Sequence, residues 1–127
     1  MKRIIKFRGV STKTNHFVYG DYVCAEAEKE RKKLVPMIIA ISTKGGMIWN
    51  SGAYRIIPET LGQYIERNDI TGKEIYEGDI LACDADIIGT VEYSNAFCCF
   101  GIITKDNIFY PQIPLIVKVM GNIYNID

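Results

Sequence analysis

The side chains best able to do chemistry in this sequence are the acids gathered between positions 66 and 92: Glu66, Asp69, Glu74, Glu77, Asp79, Asp84, Asp86 and Glu92. Paired carboxylates can hold a divalent cation or exchange protons. Asp84 and Asp86 would share a face if the strand before them continued that far. Acids at strand ends more often close turns, so a small metal-dependent hydrolase is the alternative reading and not the first. Cys24, Cys83, Cys98 and Cys99 form no C-x-x-C pair and His16 is the single histidine, which leaves no zinc site of ordinary spacing. Adjacent Cys98 and Cys99 would point to opposite faces of a strand, where a disulfide between them is strained, so the thiols are expected as buried small hydrophobes. His16 ends the polar run from Ser11 and reads as a loop residue. Gly72-Lys73 lacks the rest of a phosphate loop, and no serine sits in a nucleophile-elbow pattern. The expectation is a non-catalytic protein with no catalytic residue, no metal and no cofactor.

Charge points to partners more than to chemistry. Fifteen basic and fifteen acidic side chains cancel over 127 residues, but residues 1–33 hold nine basic groups against four acids, +5 there and −5 on the remainder. Lys2, Arg3, Lys6 and Arg8 form a candidate basic patch among aromatics, the raw material of a single-strand nucleic-acid surface. Net neutrality argues against tight duplex binding, which neutralises several phosphates. A protein partner or self-association is the favoured expectation, with a nucleic-acid module as an alternative. Apolar runs such as Pro36–Ile41 fall well short of a bilayer span, so no membrane is expected. The N-terminus alternates basic and apolar residues without the apolar core of a secretory signal, which leads to the expectation of a cytoplasmic product.

The elements that must position these groups are mostly strands. Ile4–Arg8 reads as a first strand ended at Gly9, followed by Phe17–Tyr19 and Tyr22–Cys24 with Gly20-Asp21 as a turn or bulge. Residues 25–34 are charged with almost no apolar face, and suit an exposed loop or a turn or two of helix. Val35–Ile41, Met47–Trp49 and Tyr54–Ile57 come next as short strands about a Lys44-Gly-Gly46 turn, with Trp49 as a core plug or a half-exposed packing residue. Pro58 stops that run and opens a helical turn through Tyr64. Asn68–Lys73 and Tyr76–Asp79 read as two close turns. After Asp79 the pattern is all strand: Ile80–Cys83, Gly89–Tyr93, Ala96–Ile103 and Leu115–Met120. Short strands at such spacing make a small barrel or a strongly bent sheet. The fold expected is mostly β with minor α, N-terminal strands packed with a C-terminal SH3-like barrel. It forms a single domain over 1–127 with subparts 1–77 and 78–127.

Four stretches, Ile5-Lys-Phe-Arg-Gly9, Pro58-Glu-Thr-Leu-Gly-Gln-Tyr64, Gly72-Lys-Glu-Ile-Tyr-Glu-Gly-Asp-Ile80 and Gly121-Asn-Ile-Tyr124, resemble in order and spacing the YopX family of phage and prophage proteins. The resemblance implies a protein of phage or mobile-element origin, in a bacterial host cytoplasm, with a β-rich fold. It implies no activity and carries over no site. The chain departs from the family pattern at Ile65-Glu66, where Thr-Gly is usual. Physically, the strongest stretch specifies turns: Gly72 and Gly78 permit positive φ, Asp79 can accept bonds from turn amides, and Ile75 and Ile80 anchor the turn to a core. Gln63, Tyr64, Tyr76 and Glu77 are the candidate partner surface it could present instead.

Overall fold

The computed structural model describes residues 3–26, 34–44 and 47–126. Its contacts divide the chain into two compact units, Ile5–Gln63 and Tyr64–Asp127 together with Met1–Ile4. The two subparts expected from sequence meet at residues 77 and 78; contacts instead group 64–77 with 78–127.

In the first unit β1 (Phe7–Val10), β2 (Phe17–Glu26), β3 (Leu34–Lys44) and β4 (Met47–Arg55) lie antiparallel in the order β4-β3-β2-β1. The opening residues of β5 (Gly62–Asn68) pair with β1, Gly62 opposite Arg8 and Gln63 opposite Phe7. β2 is one continuous strand that changes partners at Gly20: Phe17–Gly20 face β1, and Asp21–Glu26 face β3. A Cβ at Gly20 would collide with the Ile39 carbonyl oxygen, so the handover needs glycine where a turn or a bulge was expected. The pair of short strands expected at 47–57 is one strand, β4, with an irregularity where Ala40 faces Gly52 and Ile41 faces Asn50. Among the described side chains, Val10, Val35, Ile38 and Ile56 are the buried apolar ones here. Trp49 lies outside the described side chains, and residues 45–46 and 27–33 outside the described residues. What is described of 25–34 is strand, Ala25 and Glu26 ending β2 and Leu34 opening β3.

In the second unit the rest of β5 pairs with β6 (Glu74–Tyr76). Then β7 (Asp79–Cys83), β8 (Asp86–Ser94), β9 (Cys99–Ile103), β10 (Phe109–Tyr110) and β11 (Lys118–Asn122) make a five-stranded antiparallel sheet in the order β10-β9-β8-β7-β11. This is a meander whose last strand returns beside its first. Among the described residues no ladder joins β10 to β11, so the expected barrel is represented by strand order and not by a closed ring of ladders. Ile75, Leu81, Val91, Ile102, Val117 and Val119 form its core, with Ile65, Ile88 and Ile113 packed against them. The mostly-β expectation holds, and the described helical content is one 3-10 turn, Pro58–Thr60.

Several local expectations give way to tertiary demands. The first strand begins at Phe7 and runs through Gly9, because Gly9 sits against Ile56 with no room for a Cβ. The helical turn at Pro58 stops at Thr60, since Gly62–Tyr64 are recruited into ladders with β1 and β6. Ala96–Cys98 belong to the turn between β8 and β9, where Cys98 adopts φ 55°. Asp84 adopts φ 55° in the β7–β8 turn, so no strand carries Asp84 and Asp86 on one face. Ile80 is half-buried, and Leu81 takes the core position beside Ile75. Cys24 and Cys98 are exposed and Cys83 and Cys99 half-buried, all as free thiols, so they are not the buried hydrophobes expected.

Candidate functional site: an apolar groove beside a proline segment

The side chains that mark the recognisable stretches serve the backbone. Thr60 Oγ1 donates to the Ile57 carbonyl at 2.6 Å and accepts the Val10 amide at 2.8 Å, which locks the 3-10 turn onto β1. Asp79, fully buried, accepts the Tyr76 amide at 2.8 Å across the turn at Glu77-Gly78. Gly78 adopts φ 91°, donates to the Val91 carbonyl at 2.9 Å and accepts from Ile123 at 3.0 Å. Asn122 Oδ1 accepts the amides of Tyr124 and Ile126 at 3.0 and 3.2 Å and closes the C-terminal turn. Buried polar groups of this kind are tolerable only because each is hydrogen-bonded.

Asp69 is the strongest example. Its Oδ1 accepts the amides of Thr71 at 2.8 Å and Lys73 at 2.9 Å and the Thr71 hydroxyl at 2.6 Å, and its Oδ2 accepts the Val119 amide at 2.9 Å. Burial alone would raise its pKa, but the bonds from Thr71, Val119 and Lys73 outweigh that and hold it at about 2. The carboxylate ties the 69–73 turn to β11, and its oxygens are spent on the protein. Among the described residues no group of three or more His, Cys, Asp or Glu side chains is placed to hold a metal ion.

The proposed contact residues separate. Tyr64 and Tyr76 are buried, ring centroids 5.6 Å apart, with hydroxyls donated to Asn68 at 2.6 Å and Glu74 at 3.0 Å. They are core side chains of the β5–β6 pair, not a surface, while Gln63 and Glu77 are half-buried. The basic patch also comes apart. Lys2 lies outside the described residues, exposed Arg3 pairs with Glu66 at 3.0 Å, and Lys6 is half-buried. Arg8 is buried with its guanidinium 4.2 Å from the Phe17 ring centroid, a cation–π arrangement that covers the charge.

What the second unit does present is apolar. Ile108 to Val117 is a run without a charge and with two prolines. Pro111 and Pro114 donate no amide, so the run leaves the sheet after β10 and crosses to β11 as an extended strap. Arg67 holds it there, donating to the Ile113 carbonyl at 2.8 Å and to the Pro114 carbonyl. Ile70 closes the far end by donating to the Val117 carbonyl at 3.0 Å. Between strap and sheet lies a groove of about 560 Å³ lined by Ile88, Ile102, Thr104, Tyr110, Pro111 and Pro114. Ile88 and Thr104 also line a second hollow with Ile80, Ile87 and Asp106. Leu115 stands 89% exposed and Ile116 61%. Motifs and charge do not single out these residues. The signal available in the sequence is an uncharged run interrupted by two prolines; the strand expected at Leu115–Met120 begins only at Lys118, after the strap.

Two antiparallel sheets, turns fixed by buried polar residues and no helix long and apolar enough to cross a membrane among the described residues define the class: a small antiparallel β protein. The family model described as YopX protein matches residues 6–126, and the chain belongs to the YopX family. It is similar over 98% of its length, and 96% of the other chain, to the crystal structure of protein EF1440 from Enterococcus faecalis, at 20% identity and a TM-score of 0.58, a likeness of fold. No curated protein matches.

Proposed function

We propose that this protein is a non-catalytic binding or accessory module of phage or prophage origin, working in the cytoplasm of a bacterial host. Its contact surface is the apolar groove and the exposed Leu115-Ile116 pair beside it. The observation that carries the reading is the strap, in which Arg67 holds an uncharged, unladdered segment in place and leaves large apolar side chains in solvent. Contiguous apolar surface of this kind marks contact with a protein. The partner that charge favours is a second copy of the chain. The Ile5–Gln63 unit carries nine basic and five acidic side chains and the other unit six and ten, +4 against −4, so two copies can meet through unlike units.

Light scattering over a concentration series tests this together with a titration against duplex DNA at graded salt. The expected outcome is concentration-dependent association and no duplex binding near physiological salt. Submicromolar duplex affinity that weakens steeply with salt would replace this reading with a nucleic-acid module.

A further inference from the structure

The sheet face that carries the groove continues into an aromatic corner. Tyr93 and Phe100 lie opposite each other in the β8–β9 ladder, ring centroids 5.3 Å apart and planes at 75°. Phe100 stands two residues before Ile102, and Ile102 pairs with Tyr110, so by strand alternation both rings share the face of the groove's Ile102 and Tyr110. Tyr93 is 47% exposed and Phe100 half-buried. We propose that this corner receives the Pro111–Pro114 strap of a second copy of the chain, an inference that rests on the self-association proposed above.

The strap has the form of a ligand. Pro111-Gln-Ile-Pro114 spaces two prolines so that both fall on one ridge of an extended segment with about three residues per turn. Both prolines are exposed, while Ile113 between them is half-buried against the core. Leu115 follows Pro114 and extends the ridge into solvent. Each proline fixes its own φ and Arg67 fixes the Ile113 and Pro114 carbonyls, so little entropy remains to be lost on contact. The same clamp keeps the strap from turning back onto its own corner, and both halves stand open in the folded chain. The corner has the form of a receptor. Rings set edge to face present two walls at nearly a right angle, and proline-rich segments dock against aromatic walls. Pro111 ends the β10 ladder at Tyr110, so among the described residues no strand pairs with β9 beside Phe100 on that side, and the approach is open. A segment with two prolines carries more carbonyls than amides, and the Tyr93 hydroxyl supplies a donor to match. Prolines, rings and Leu115 are uncharged, so the contact adds no like-charge repulsion between copies.

Two variants that damage opposite halves test the contact. Tyr93→Ala removes the corner, and Pro111→Ala combined with Pro114→Ala removes the ridge. Light scattering over a concentration series should show association weakened about tenfold or more in each. An equimolar mixture of the two should associate more tightly than either alone, because a mixed pair keeps one intact corner facing one intact strap. A synthetic Tyr110–Ile116 peptide should dissociate the parent, and the same peptide with both prolines replaced by alanine should not, a comparison that does not require Tyr93→Ala to fold. Parent-like association in Tyr93→Ala, or a mixture no tighter than its components, would overturn this contact and leave self-association standing. So would a peptide that leaves the parent associated. A parent that stays monomeric at every concentration would instead remove the self-association itself, and the contact with it.

Discussion

Residues 64–80 and 108–117 lie in the same compact unit and behave in opposite ways. The first is the stretch a reader of the sequence notices, and its distinctive residues are buried or locked: Tyr64 and Tyr76 against each other, Asp69 and Asp79 on turn amides, Gly78 at positive φ. The second has no distinctive motif, yet it lines the groove and exposes the apolar surface. The difference teaches that conspicuous residue patterns here report what the backbone requires. Glycine at positive φ and a carboxylate that satisfies several amides admit few substitutes, whereas an exposed apolar side chain can be exchanged for many others without unfolding anything.

If that contrast is right, damage to the first segment is read in stability. Gly78→Val should have the largest effect, a loss of about 3 kcal/mol by thermal or urea melt. It forces a β-branched residue into φ 91° and brings a Cβ within 3.0 Å of the Tyr124 ring. A variant that melts like the parent would return the motif to a functional role.

Asp69→Asn comes next and has a pH signature. The folded pKa of about 2 lies below the ordinary aspartate value of 3.8, so the unfolded chain binds the proton more readily. The stabilisation is therefore complete above about pH 4 and disappears as pH falls through about 2, a contribution on the order of 2 kcal/mol. Asp69→Asn should lose roughly that amount at neutral pH and flatten the acid limb of the stability profile. An unchanged acid limb would mean that other carboxylates set it.

Legibility in the sequence divides along the same line. The turns at 69–73 and 77–78, the positive φ at Gly72 and Gly78, and the amide bond accepted by Asp79 can be read directly, because turn chemistry is local. After Asp79 the expected strands at 80–83 and 89–93 lie within β7 and β8, whereas the one expected at Leu115–Met120 starts only at Lys118 and β10 at Phe109–Tyr110 was not expected. Gly9 misleads, since it looks like a stop and instead sits in β1 against the Ile56 side chain, and at Gly20 local sequence leaves turn and bulge open because it does not show the Ile39 carbonyl that approaches too closely for a Cβ. Arg8 looks like part of a basic surface because sequence does not reveal that Phe17 lies across the ladder to cover it. The groove is invisible for a related reason: it depends on Arg67 reaching the Ile113 carbonyl, a contact between distant positions.

A smaller effect sharpens the comparison from within the first segment. Glu66 adopts φ 66° at an irregularity in the β5–β6 pairing. Glu66→Gly removes strain of about 1 kcal/mol and loses the ion pair with exposed Arg3, a contact of at most about 1 kcal/mol. The expected outcome is a melting temperature equal to the parent's or a few degrees higher. A clear drop would mean that the Arg3 pair matters more than the backbone.

The smallest stability effect belongs to the strap. Replacing Leu115 and Ile116 together by Asp removes exposed apolar side chains and should change stability by no more than about 0.5 kcal/mol. The same double variant supplies the most direct test of the central claim, that the motif builds the fold while the strap makes the contact. Light scattering across a concentration series, run on the parent, on L115D/I116D and on an Asp69→Asn control, each held well below its own melting temperature, should show association in the parent and the control and its loss in the double variant. Association that survives in L115D/I116D but fails in the Asp69→Asn control would contradict the account, placing the interaction on the conspicuous motif and leaving the groove without a role.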